Sequence, residues 1–282
     1  MSLDNFFLIF FIFLFLFLFF SKFKILSDNI SFSNHKKIGI KNKSPVILGG
    51  VYLLIIVLLF YPNNLVELKV IFLFITLLGL MSDKNILPNP SVRLIFQITL
   101  ILCLVYFENL RIFDLRIDTL NYLLSKNIFN ILFTTFCLAI LINGSNFIDG
   151  LNGLLIGYYL LILSSIFYIS FNNDYIFLLE SNFLVSLFFS MVVIFIFNIF
   201  GKVYLGDSGS YLISVVLGAY LIKFYYLNTN ISPYYIALIL WYPAFENLFS
   251  LIRRISKKKN ISSPDNRHLH QLVFLFFKSK NV

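Results

Sequence analysis

Charge is scarce in this chain: Asp, Glu, Lys and Arg make up 12% of its 282 residues, while 59% are hydrophobic. So little charge cannot solvate the surface of a soluble globular domain, and that class is excluded. Cysteine is equally sparse. Cys103 and Cys137 fall in apolar runs, where they read as small packing residues, and neither a disulfide nor a metal-thiolate site is implied. No internal repeat stands out, which removes the main sequence pointer to an inverted-repeat transporter. There is no soluble basic domain, so the net charge of +9 does not point to nucleic acid. The first apolar run, Phe6 to Phe20, lacks a basic residue ahead of it and a small-residue cleavage site behind it. It reads as a retained span, not a signal peptide.

What is abundant is hydrocarbon, including 36 phenylalanines. A helix crosses the hydrocarbon core with about 20 apolar residues, or fewer when its ends snorkel. Nine spans are expected on that basis, at about 4–21, 46–61, 65–81, 92–107, 128–144, 151–171, 181–199, 209–227 and 232–252. The fold class is therefore all-α, a polytopic membrane helical bundle formed by a single domain over 1–282. A last apolar stretch, Leu272 to Phe277, is too short to cross and is expected at the interface or against the bundle. Segment 108–127 alternates apolar and polar residues around Leu110 to Ile117, which predicts a short strand or hairpin.

With the N-terminus placed outside, the inner segments are 22–45, 82–93, 145–150, 200–208 and 253–282. They hold 17 of the 22 Lys and Arg, which satisfies the positive-inside rule. Anionic headgroups and phosphorylated substrates are the partners such a cytosolic face implies.

Every chemically suggestive group lands on that face. Between two apolar runs sits Asn143-Gly144-Ser145-Asn146-Phe147-Ile148-Asp149-Gly150-Leu151-Asn152-Gly153. A charge at membrane depth costs about 2.5–3.5 kcal/mol or more, so it lines a cavity or an interface and has a job. A second island runs from Gly79 to Gln97 and carries Ser82-Asp83. There Asn89-Pro90 looks like a helix start, with Arg93 and Gln97 sharing a face at i, i+4. Ahead of these, Lys41-Asn42-Lys43-Ser44-Pro45 is closed by Gly49-Gly50, which suggests close helix contact or a local backbone opening. A fourth, Gly201 to Ser210, carries Tyr204 and Gly206-Asp207-Ser208-Gly209. A glycine-rich turn at a helix N-terminus suits phosphate, and an aspartate there suits a bridging cation. The last island holds Pro264-Asp265-Asn266-Arg267-His268-Leu269-His270-Gln271. Its two histidines could ligate metal, but donors to phosphate fit better beside so many cations. Glu246, after Pro243, is a further acid expected to face the bundle interior.

Taken in order, Asn143-x-x-Asn146-x-x-Asp149-Gly150-Leu151-Asn152-Gly153, Leu205-Gly206-Asp207-Ser208-Gly209-Ser210 and Pro264-Asp265-x-Arg267-His268-Leu269-His270 resemble one family's motifs. It is that of the polyprenyl-phosphate N-acetylhexosamine-1-phosphate transferases, glycosyltransferase family 4, and the likeness runs over about 35–271. The resemblance implies transfer of a sugar-1-phosphate from a UDP-sugar to undecaprenyl phosphate, with release of UMP. It implies Mg2+, with Mn2+ as a substitute, held by Asp207 and Asp149. Asn143 and Asn146 are then expected near the diphosphate and Tyr204 at a uracil-stacking position. His268, His270, Arg267 and Lys43 are expected at phosphate oxygens, and Asp83 as an orienting or metal-linked group. The implied setting is a bacterial inner membrane with the site facing the cytosol, in a surface-glycan pathway such as that of lipopolysaccharide. A homodimer is expected by analogy only.

The departures are specific. Ser82 stands where the family's paired aspartates begin, and Asn152 where an aspartate is thought to recognise the base. Gln271 replaces a histidine-motif position, Glu246 replaces an aspartate, and the sequence ends soon after the histidine motif, where relatives usually continue. The competing class is a multi-span transporter or flippase with a cytosolic anion site. Acids gathered at one face argue against a path through the membrane.

Overall fold

The computed structural model describes residues 3–27, 45–62, 66–173, 181–258 and 268–279. It is a helical bundle whose elements follow the apolar runs. They are α1 (Leu3–Phe23), β1 (Val46–Ile47), α2 (Gly49–Phe60), α3 (Val66–Asp83), α4 (Pro90–Phe107), α5 (Asp118–Leu124) and α6 (Asn127–Ile148). Then come α7 (Leu154–Asn173), α8 (Ser181–Ile199), β2 (Val203–Tyr204), α9 (Gly206–Leu227), α10 (Pro233–Ile239), α11 (Trp241–Ser256) and α12 (Leu269–Ser279). Among the described residues, six helices are long and apolar enough to cross a membrane, or seven if the bent pair α10–α11 is one span. Helix α2 has only 12 residues, and α3 carries Glu67, Lys69 and Asp83. Those two are why the count falls short of the nine expected spans.

The centre of the bundle is α9, with 72% of its span buried against 11% for α1. It packs on α2, α3 and α6. Without a hydrophobic drive between helices in lipid, small side chains are what let backbones approach. Helix α9 supplies Ser208, Gly209, Ser210, Ser214, Gly218 and Ala219, all buried. Its neighbours supply matching glycines. A Cβ on Gly79 would fall on the Ser208 backbone, and one on Gly50 would lie 2.6 Å from the Gly209 nitrogen. The Gly49-Gly50 pair is therefore a close helix contact.

The ninth expected span, 232–252, is not one helix. It breaks at Leu240, and α10 and α11 meet at 68°. Pro243 explains the break, because it has no N–H to give the Ile239 carbonyl one turn back. The Tyr158 hydroxyl donates to that carbonyl instead. Gly144 of α6 lies so close to Pro243 that a Cβ there would meet the Pro243 backbone.

The strand or hairpin expected in 108–127 is absent; an irregular segment leads into α5 there. Asparagines and an aspartate take the backbone groups that a ladder would have used. Asn130 accepts from Ile112 N at 3.2 Å and donates to the Ile112 and Leu124 carbonyls at 2.8 and 2.9 Å. Asp114 accepts from Arg116 N and from the Asn121 amide, each at 2.7 Å, and these two bonds hold its carboxyl below the usual range. Among the described residues the sheet is elsewhere: β1 pairs in parallel with β2, Val46 on Val203 and Ile47 on Tyr204. Helix α12 is too short to cross and leaves Leu272, Val273, Leu275, Phe276 and Phe277 exposed, as an interfacial segment would.

Gly79→Ala should lower the melting temperature in detergent, by about 1–3 kcal/mol of overpacking against rigid backbone. Gly157→Ala, whose Cβ would first meet the Phe195 ring, a side chain, at 3.0 Å, should cost clearly less.

Candidate functional site

The site begins with an uncapped helix end. Helix α9 opens at Gly206, whose φ of +74° suits glycine, and Leu205 before it offers no side-chain cap. The first amides of a helix have no partner within it and carry the positive end of the helix dipole. Asp83, at the last position of α3, meets them. Its Oδ1 accepts from Asp207 N at 2.8 Å, and its Oδ2 accepts from Ser208 N at 3.2 Å and Ser208 Oγ at 3.0 Å. Asp83 is thus an orienting group for the turn that presents Asp207.

Asp207 itself is 9% exposed. Its Oδ2 accepts from Ser82 Oγ at 2.5 Å and lies 3.4 Å from an Arg93 guanidinium nitrogen, which also donates to Ser82 Oγ. Arg93 arrives there because α4 starts where expected: Asn89 accepts from Ser91 N at 3.0 Å, with Pro90 in the first turn. Ser82, in place of a carboxylate, donates to Asp207 Oδ2 and accepts from the same guanidinium, so it links the two.

The island of asparagines forms the second wall. Helix α6 runs on to Ile148, so Asn146 joins Asn143 on its last turns and does not lie in the inner loop expected at 145–150. The Asn143 amide donates to the Ala139 carbonyl at 2.9 Å, leaving its side-chain oxygen for other partners. Asp149 is the C-cap, and Gly153, at φ +82°, closes the turn. That turn is held by Asn198, which accepts from Gly153 N at 2.5 Å and donates to Val203 O at 2.8 Å. One side chain therefore ties the island to β2, the strand that carries Tyr204. Asn152 is exposed, and its amide nitrogen lies 3.5 Å from where a Gly201 Cβ would be.

The third wall is the histidine segment. Glu246 of α11, 1% exposed, accepts from His268 Nδ1 at 2.9 Å and from Leu269 N at 2.6 Å. Tyr242 meets His270 Nδ1 at 3.1 Å. The two imidazoles lie parallel, 5.7 Å apart, and His268 stacks on Phe147 at 5.1 Å. His270 Nε2, buried without a partner, faces Gly150, where a Cβ would sit 2.7 Å away. Arg254 covers the Phe147 ring at 5.5 Å. The histidine segment thus packs directly on the asparagine island.

The structure therefore joins Asp83 to Asp207, and the island to both β2 and the histidine segment. Among the described residues no three His, Cys, Asp or Glu side chains gather as a metal cage. Lys43 and Arg267 lie outside the described residues. Asn198 and Tyr242 were missed from sequence because each sits inside an apolar run with no motif around it. Burial, with His268 adding to it and Glu246 opposing, pushes the His270 imidazole down to about 4.

Two expectations follow. Asp83→Ala should leave the α9 amides unpaired, costing about 1–3 kcal/mol, read as a lower melting temperature. For His270, the unfolded imidazole, near pH 6.5, takes a proton before the folded one does, so stability falls as pH drops from about 6.5 towards about 4. The groups facing it are His268, Glu246 and Tyr242, and the melting temperature of His270→Gln should fall less steeply over that window than that of the unsubstituted chain.

Comparison with known proteins finds a family and two relatives. A family model described as glycosyl transferase family 4 matches residues 65–225, a stretch that contains Asp83, Arg93, the island and Asp207. The undecaprenyl-phosphate alpha-N-acetylglucosaminyl 1-phosphate transferase of Thermotoga maritima is 30% identical over 226 residues, 80% of this chain and 66% of that protein. A probable undecaprenyl-phosphate N-acetylglucosaminyl 1-phosphate transferase of Bacillus subtilis is 34% identical over 145 residues, 48% of this chain and 37% of that protein. The chain thus spans just under two thirds of the first relative and little more than a third of the second. Matching more than half of its own length, the chain belongs to glycosyl transferase family 4.

Proposed function

We propose that the chain transfers an N-acetylhexosamine-1-phosphate from a UDP-sugar to a polyprenyl phosphate, at the cytosolic face of a bacterial inner membrane. The observation that carries this reading is Asp207, a carboxylate at the buried N-terminus of the central helix, held by Asp83 through the backbone and by Ser82 and Arg93 through its own oxygen. The names of the two relatives point to the acceptor and the sugar. The basic end of α11, with Arg253, Arg254, Lys257 and Lys258, suits an anionic cytosolic surface.

In this reaction an acceptor phosphate oxygen bonds to the β-phosphorus of the UDP-sugar. The bond from that phosphorus to the bridging oxygen breaks, and UMP leaves with the electron pair. Two anions must meet, so the work is electrostatic stabilisation and alignment. Magnesium is commonly held by one or two carboxylates plus substrate phosphate oxygens rather than by an all-protein cage. Asp207, at the head of α9, and Asp149, the C-cap of α6, are carboxylates of the kind that donor set requires. Bound there, the ion would neutralise diphosphate charge.

The chain's own residues do the rest. Asn143 and Asn146 offer amides on the last turns of α6, and Tyr204 offers a ring beside the turn that Asn198 fixes. His268, its Nδ1 turned to Glu246, presents Nε2 for a phosphate oxygen. Asp83 is occupied by the α9 amides, which favours orientation over general-base duty. A base would gain little in any case, because a phosphate monoester with a second pKa near 6 is mostly dianionic at neutral pH. Direct single displacement follows.

Purified protein in lipid, given undecaprenyl phosphate, Mg2+ and UDP-N-acetylglucosamine, should release UMP. Asp207→Asn should reduce turnover by about 10²–10³-fold, the usual cost of losing one electrostatic stabiliser. No UMP from any of a panel of UDP-N-acetylsugars, with nucleotide binding intact, would overturn the assignment.

A further inference from the structure

Gln97 lies one helical turn beyond Arg93 on α4, at the head of the buried stripe Gln97, Ile101, Leu104 and Val105. It is 2% exposed, and neither its amide nitrogen nor its carbonyl oxygen has a hydrogen-bond partner. Arg93 Nε is also buried without one. A buried amide with both ends unpaired is expensive, and an apolar side chain of similar shape would pack there without that penalty. Such a group calls for a partner in another state of the molecule.

Arg93 is that partner by position. Residues at i, i+4 on a helix meet, and Gln97 Oε1 is an acceptor within reach of a guanidinium. The guanidinium now leans the other way, towards Ser82 and Asp207, but its distance of 3.4 Å to Asp207 Oδ2 exceeds the 2.7–2.9 Å typical of a charged N–H to carboxylate bond. The Asp207 contact is long, and the firm hydrogen bond at this seat is the one to Ser82 Oγ.

We propose that Gln97 is a positioning residue, the second seat of Arg93: when Asp207 takes a divalent cation, the guanidinium moves off that carboxylate and donates to the Gln97 carbonyl. This rests on the magnesium reading of Asp207 given above. A guanidinium and a divalent ion repel one another and compete for the same carboxylate oxygen. Released without an acceptor, the guanidinium, on a side chain 22% exposed, would lose its charged partner and keep a buried, unpaired Nε. A neutral amide receives it without holding it permanently, as a carboxylate at position 97 would. The two seats differ by about one hydrogen bond to a charged group, so the ion decides which is filled.

The test is a Mg2+ titration of the full chain in detergent without substrates, read by the rise in melting temperature. The unsubstituted chain should respond saturably. Gln97→Leu should melt higher without metal yet bind Mg2+ about tenfold more weakly, which corresponds to about 1.4 kcal/mol. Gln97→Glu should draw Arg93 away from Asp207 and bind Mg2+ about tenfold more tightly. In an Arg93→Met background, Gln97→Leu should leave the Mg2+ affinity unchanged, and this cycle carries the test if the Glu variant does not fold. Unaltered Mg2+ affinity in the Gln97→Leu variant, beside a responsive unsubstituted chain, overturns the second seat and leaves the metal site standing. No response to Mg2+ in the unsubstituted chain overturns the metal reading and this inference together. UMP release, measured separately, reports on the proposed reaction itself.

Discussion

The backbone amides at the start of α9 have to be satisfied in the middle of a membrane protein, and much of the structure serves that need. No residue adjacent in sequence caps them. The cap comes from Asp83, whose two oxygens take the amides of Asp207 and Ser208. For a carboxylate to reach so far, α3 must lie against the first turn of α9, and Gly79 permits that contact by having no Cβ. The β1–β2 pair holds the chain entering the turn from the other side. With its backbone amide committed to Asp83, Asp207 is left to present its carboxylate to Ser82 and Arg93.

Single polar side chains serve as clamps elsewhere too. Asn198 uses its oxygen on one loop and its nitrogen on another, so the asparagine island and the Tyr204 strand cannot separate without unpairing a buried amide. Glu246 does the same for the last segment, fixing one histidine ring and the first amide of α12. Asn130 performs this role at the far end of the bundle. Each clamp is inexpensive in lipid only because both of its ends are satisfied.

Much of this was legible in the amino-acid sequence. Long apolar runs place helices because backbone hydrogen bonds must be made locally when no water is available. The start of α4 was readable from Asn89-Pro90, since capping chemistry is local. The break at Leu240 could have been read from Pro243, but the apolar run across it is continuous and masks the bend. Segment 110–117 alternates like a strand, yet its backbone is satisfied by Asn121 and Asn130 from the helices that follow. Alternation is a weak signal when side chains downstream can substitute for a ladder.

The sequence by itself determined the helical membrane class and the family-type motifs, with Asp83, Asn143, Asn146, Asp149, Asp207, His268 and His270 as the residues to watch. Those signals are contiguous or set by helical spacing, so one strand of text contains them. Only the tertiary structure decided which groups each acid meets. Asp83 became the cap and Asp207 the presented carboxylate through bonds between residues 124 positions apart in the chain. Gln97 looked like an ordinary helix residue until burial left both ends of its amide unpaired beside Arg93. Hydrogen-bond partnership depends on what folding brings alongside a group, and no local pattern in the chain encodes it.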